Sequence, residues 1–91
     1  MDTLAVETAG RARSVEFTDA ELVVRLVDGR TLLVPLTWFP KLLHATPEER
    51  QGWQLGGDGD RIHWPDLEED IGVRGLLRGT PAPSFYRQPA R

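Results

Sequence analysis

The side chains of this sequence that could do chemistry lie almost entirely between Asp58 and Asp70, in the run Asp-Gly-Asp-Arg-Ile-His-Trp-Pro-Asp-Leu-Glu-Glu-Asp. Six carboxylates, one imidazole, one indole and one guanidinium share thirteen positions. Three readings are open: a metal site, an acidic recognition face, or a turn that closes a sheet. His63, Asp66, Glu69 and Asp70 offer hard and borderline metal ligands. A calcium loop opened by Asp58 would bring Asp60 to its third position and Glu69 to its twelfth. Ile62 then fills the fifth, however, and His63 stands at the sixth, where the loop's sharp turn needs glycine. Pro65 interrupts the geometry further. On a strand, His63 faces away from Ile62 and Trp64, toward the surface or a neighbouring carboxylate. No metal is expected.

Other catalytic chemistry finds less support. The chain has no cysteine, and its only serines, Ser14 and Ser84, sit in no nucleophile motif with a histidine. Glu68-Glu69-Asp70 could shift one another's pKa and act as acid and base, but acids at the start of a helical turn are also favoured by its dipole. Gly56-Gly57-Asp58-Gly59 resembles a phosphate cradle only in its glycines, lacking the lysine and the following helix. No catalytic residue and no cofactor are expected, and the chain is read as a non-enzyme.

Charge narrows the partners. The 91 residues carry a formal charge of −3, whereas a general nucleic-acid binder shows a basic excess. The acidity is local: outside Asp58–Asp70 there are eight acids and ten bases. No apolar run approaches the roughly 20 residues of a membrane span, and the N-terminus lacks a signal-peptide pattern. A soluble cytoplasmic protein is expected. Without cysteines, the core must come from aliphatic residues and from Trp38, Trp53 and Trp64. At least two of these tryptophans are expected in that core.

The elements that position these groups follow from periodicity. Ser14–Phe17 alternates as a strand. Glu21–Val27 places Leu22, Val24 and Leu26 on one face, and Arg30–Leu36 returns after Asp28-Gly29, a type I′ hairpin signal. Pro35 ends that strand or puts it at an edge. Thr37–Ala45 reads as a short helix capped by Thr37, with Phe39, Leu42 and Leu43 on one face. Thr46-Pro47-Glu48-Glu49 spells a capping box. Trp53–Leu55 and Arg61–Trp64 read as strands joined by a glycine-rich loop. Asp66–Ile71 reads as a helical turn with Asp66 at its cap, and Gly72–Leu77 as a short helix or extended segment. Residues 1–12 are expected to fray, unless Leu4 and Val6 pair. The predicted fold is α+β: a small antiparallel sheet of hairpins packed in two layers with two or three short helices. One domain spans residues 1–79, best defined over 13–79, and a proline-containing flexible tail spans 80–91.

Three blocks resemble the small bacterial domain-of-unknown-function family DUF2442. These are Asp28-Gly29-Arg30 with Val34-Pro35-Leu36 and Trp38-Phe39-Pro40; Ala45-Thr46-Pro47-Glu48-Glu49-Arg50 with Trp53; and Ile62-His63-Trp64-Pro65-Asp66-Leu67 through Glu69-Asp70-Ile71 to Leu76-Leu77. They cover about residues 14–79. The family pattern has aspartate where this chain has Glu68, which keeps the charge. The resemblance implies a small α+β domain with an antiparallel sheet and no established reaction. Some members are fused to a helix-turn-helix domain and others are encoded beside small toxin-like proteins, which implies antitoxin or regulatory roles. The stretch after Leu77 is too short for a helix-turn-helix.

The expected function is a non-enzymatic protein-interaction module, an antitoxin-like or regulatory subunit. It would bind a small basic protein through an acidic face made of His63, Trp64, Asp66, Glu68, Glu69 and Asp70, with the tail ordering on the partner. Two alternatives belong to other classes. One is a DNA-binding regulator using Arg11, Arg13, Arg25 and Arg30 as a basic sheet face. The other is a homodimer joined through a sheet edge or the Trp38 region.

Overall fold

The structure is a computed structural model that describes residues 10–83 and 85. The suggested Leu4–Val6 pairing and most of the tail lie outside the described residues. Among the described residues, six strands form two antiparallel meanders of three. The first holds β1 (Ala12–Phe17), β2 (Glu21–Leu26) and β3 (Thr31–Pro35), with β2 central. The second holds β4 (Gln54–Gly56), β5 (Arg61–Trp64) and β6 (Glu69–Gly72), with β5 central. Between the sheets run a 3-10 turn (Leu36–Trp38), α1 (Pro40–Leu43) and α2 (Pro47–Arg50), and α3 (Val73–Arg78) follows β6. The α+β class stands. Among the described residues no helix is long and apolar enough to cross a membrane.

The expected alternation builds the first sheet. Leu22, Val24 and Leu26 are buried, with Val15 and Val34 beside them in register. β1 starts at Ala12, earlier than the alternation suggested. A bulge between Ala12 and Ser14 breaks the period of two while still pairing buried Ala12 with Leu26. The β2–β3 hairpin forms where expected but with a different turn. Gly29 alone takes positive φ, at 98°. Its N–H donates to the Leu26 carbonyl (3.1 Å), and the Leu26 N–H donates to Arg30 (2.8 Å). This is a type I turn closed by a glycine bulge rather than type I′. Asp28 adds an acceptor for the Arg30 N–H at 3.0 Å, a bond that holds its carboxyl below the usual range.

The helical segment begins later than expected: Pro40 opens α1, with Phe39 rather than Thr37 at the N-cap. The capping box is present as spelled, with Thr46 Oγ1 accepting from the Glu49 N–H (3.1 Å) and Glu49 Oε1 from the Thr46 N–H (2.8 Å). α2 then delivers Arg50 to the core. Its guanidinium donates to the carbonyls of Leu42 and Leu43, both at 2.9 Å, and lies 5.5 Å from the Phe17 ring centroid. Its own carbonyl accepts the indole N–H of Trp64 at 3.0 Å. Trp64 is fully buried and meets Phe17 edge to face, with centroids 6.3 Å apart. One residue therefore joins the first sheet, α1 and the second sheet. Trp38 and Trp53 pack half-buried against the same core.

The sheets also meet through Gly59. Its carbonyl accepts the Ala12 N–H at 2.6 Å. A methyl at Gly59 would stand 2.5 Å from the Ala12 carbonyl, so only glycine fits there. The packed unit runs past the expected boundary at residue 79: Pro81 is buried, and the Ala82 N–H donates to the Trp38 carbonyl at 3.1 Å.

On the outer face of the first sheet, Arg25 pairs bidentately with Glu16, with both bonds at 3.2 Å. That hydrogen bond, and then the charge of Arg25, lower the Glu16 pKa from 4.5. A carboxyl depressed on folding stabilises the native state above its ordinary pKa and loses that effect as pH falls through the folded value. Glu16→Gln is therefore expected to lower the urea midpoint at pH 6, by a deficit that shrinks as the pH is lowered below 4.5. A deficit that stays constant with pH would show that the pair contributes nothing.

Candidate functional site

The acidic segment does not form one cluster. Strand β5 runs through its middle and, at about 3.3 Å per residue, separates the Asp58–Asp60 loop from the turn at Asp66 by roughly 13 Å. At one end the Gly57–Asp60 loop carries Asp58, whose carboxylate lies 3.6 Å from Arg11, and exposed Asp60. At the other end Pro65–Leu67 forms a 3-10 turn that carries Asp66. Asp66 lies inside that turn and does not cap it, since Trp64 holds the N-cap position.

The helical turn expected over Asp66–Ile71 is corrected. Glu68 takes a left-handed backbone, φ 51° and ψ 42°, which reverses the chain after the 3-10 turn. Glu69–Gly72 then pairs with β5 as strand β6, matching Trp64 with Glu69, His63 with Asp70 and Ile62 with Ile71. Glutamate and aspartate are depleted in strands, so their density hid this pairing. The hairpin sorts the six candidate residues by face. Ile62, Trp64 and Ile71 point into the core. Trp64, expected at the partner surface, is fully buried and is removed from it. Its size and single N–H suit the core site that Arg50 completes.

His63 and Asp70 lie together on the outer face of the second sheet, His63 half-buried and Asp70 exposed. Asp70 is engaged by Arg61, whose Nη2 lies 3.0 Å from its carboxylate. That bond and charge raise the already high pKa of Arg61. Glu69 is half-buried, and its Oε1 accepts the Asp70 N–H at 3.1 Å. Asp66 and Glu68 remain: both are exposed, and among the described residues neither carboxylate has an ion-pair or hydrogen-bond partner. Lys41 of α1 donates to the Glu68 carbonyl at 3.0 Å and braces the turn by its backbone, leaving the acid outside. Neither the lysine nor the left-handed glutamate had a sequence signal, because both depend on chain reversal at a non-glycine residue.

The arginines of the alternative sheet face are largely engaged. Arg25 pairs with Glu16, Arg30 with Asp28 and Arg11 with Asp58; Arg13 has no ion pair among the described residues. Trp38, the alternative dimer region, is met by Ala82 from the C-terminal side. No polar or charged side chain is fully buried among the described residues, and no three of His, Asp and Glu there are grouped to hold a metal ion. Two depressions flank the Arg61–Asp70 pair. A shallow one of about 290 Å³ lies over Gln54, Gly56 and His63. A larger one of about 540 Å³ lies between β6, α3 and the Asp58–Asp60 loop.

Two solved structures share this fold. A protein of unknown function from Rhodospirillum rubrum is 24% identical at a TM-score of 0.72, with 86% of this chain and 96% of that one covered. The uncharacterized protein CV0863 from Chromobacterium violaceum, solved by solution NMR, is 23% identical at a TM-score of 0.73, covering 92% of this chain and 79% of that one. At such identity the likeness shows the fold alone. No curated protein matches the sequence. Residues 12–82, strand β1 through the segment that covers Trp38, match the family described as protein of unknown function, DUF2442, and the chain belongs to that family.

Proposed function

We propose that the domain is a non-enzymatic interaction module, an antitoxin-like or regulatory subunit of the cytoplasm. It binds a small basic protein through the turn that carries Asp66 and Glu68, with His63 and Asp70 on the adjoining strand face. The observation that carries this reading is the pair of exposed, unpartnered carboxylates on a braced turn. Exposed opposite charges steer association and fix register more than they add affinity. A basic partner would therefore bind with a strong dependence on salt. The association of family members with neighbouring toxin-like genes supports the same class of partner.

The backbone at Glu68 adds weight. A left-handed conformation costs a non-glycine residue about 1–2 kcal/mol, and glycine would recover part of that against its own greater loss of freedom. A glutamate there keeps its carboxylate at the expense of backbone comfort. Glu68→Gly is expected to raise unfolding stability by about 0.5–1 kcal/mol in urea denaturation while weakening partner binding. A loss of stability would show that the side chain is structural.

The interaction is tested by co-expression with the product of the adjacent gene and pull-down at low and high salt. Asp66→Lys/Glu68→Lys is expected to abolish capture. Glu48→Lys, a reversal at an exposed acid of α2, is expected to leave it intact. Capture that survives the turn reversal contradicts the proposed surface.

A further inference from the structure

The larger depression has a wall that the Asp66–Glu68 turn does not use. Arg74 and Arg78 sit one helical turn apart on α3 and line it together. Residues at this spacing project from one helix face with Cβ atoms about 5–6 Å apart. Both are exposed, and among the described residues neither has an ion pair or hydrogen bond. That sets them apart from Arg11, Arg25, Arg30 and Arg61, which all hold carboxylates. The chain carries more acids than bases, so two vacant guanidiniums on one wall do not follow from a shortage of carboxylates.

The backbone beneath them is open. Gly75 lies between the two arginines in sequence and lines the same depression. A methyl built on it meets nothing within 4 Å, and its φ is not in the left-handed range. Neither packing nor conformation requires glycine there, although glycine weakens a helix relative to alanine. What it provides is close approach to the helix backbone. Arg74 is also set in its course: its Cγ and Nε would stand 2.9 Å from a methyl on Gly10, so its stem lies against that backbone. Ile71, Phe39 and Pro81 add apolar surface. The volume, about 540 Å³, lies within the range of small-ligand sites, roughly 300–1,000 Å³.

We propose that this cleft is a second binding site, for a carboxylate-bearing segment such as an acidic peptide side chain. The carboxylate would be held by Arg74 and Arg78 against the exposed backbone at Gly75. Guanidinium forks match a carboxylate's two oxygens. Asp58, Asp60, Glu69 and Asp70 also line the cleft, Asp58 and Asp70 already paired with Arg11 and Arg61. Their charge opposes a multiply charged phosphate more than a singly charged carboxylate. The cleft extends along β6 to Glu69 and shares Asp70 with the proposed partner face, but it includes neither Asp66 nor Glu68.

Titrating the full chain with a capped tripeptide that holds a single glutamate between two glycines, followed by amide NMR shifts, tests this. Saturable shifts are expected across residues 72–80, with affinity at least tenfold lower in Arg74→Gln/Arg78→Gln. Gly75→Ala is expected to raise thermal stability yet weaken the peptide. Asp66→Lys/Glu68→Lys is expected to leave these shifts unchanged, which separates the two sites. No saturable shift, equal affinity in the arginine variant, or inorganic phosphate binding the same amides as tightly would each overturn the proposal.

Discussion

The structure depends on a single residue placed at the junction of its parts. Arg50 caps the carbonyls that end α1, lies against Phe17 of the first sheet and accepts the indole N–H of Trp64 from the second. Hydrogen bonds with a charged partner contribute about 1.5–3 kcal/mol each, and a contact between guanidinium and ring about 1 kcal/mol. Native domains are stable by only about 5–15 kcal/mol, so such a set is a large share of the whole. Its placement matters as much as its size. Each small meander alone would expose to water the apolar face that it buries against the other, and that burial is the main favourable contribution to folding. Gly59 supplies a second fastening from the other end of β5, where its carbonyl meets Ala12.

Fixing β5 at both ends decides how charge is displayed. A run of acids that is continuous in sequence is divided by a buried strand, and its members then differ in circumstance. Asp58 and Asp70 are met by arginines, Glu69 turns partly inward, and Asp66 and Glu68 face solvent on a turn braced by Lys41. Even spacing along the chain gave no hint of this division. Charge density in a sequence is a property of length, whereas a binding surface depends on which side chains the fold leaves without partners.

Much of the fold was legible because it rests on local rules. Alternation at Leu22, Val24 and Leu26, the Asp28-Gly29 turn and the Thr46–Glu49 capping box each carry their physics in a few adjacent residues. Strand β6 was not legible, since Glu69-Asp70-Ile71 has the composition of a helix start, and only a left-handed Glu68 returns it to β5. Trp64, which its acidic neighbours had suggested was a surface anchor, is fully buried beside this strand. Of the candidate surface, Asp66 and Glu68 were identified by charge alone. The vacancy of Arg74 and Arg78 was hidden, because it depends on which carboxylates the other arginines engage.

Arg50 holds α1 and Phe17 through its guanidinium and Trp64 through its backbone carbonyl. If the two sheets are one unit, removing the guanidinium alone must loosen both although the Trp64 bond stays in place. Native-state hydrogen exchange of Arg50→Met tests this directly, because methionine keeps an apolar stem and gives up the donors and the charge. Amides of β2 and β5 are predicted to lose protection by the same factor, as parts of one cooperative unit. Loss confined to α1 and α2, with both sheets as protected as in the parent, would contradict the central role given to Arg50.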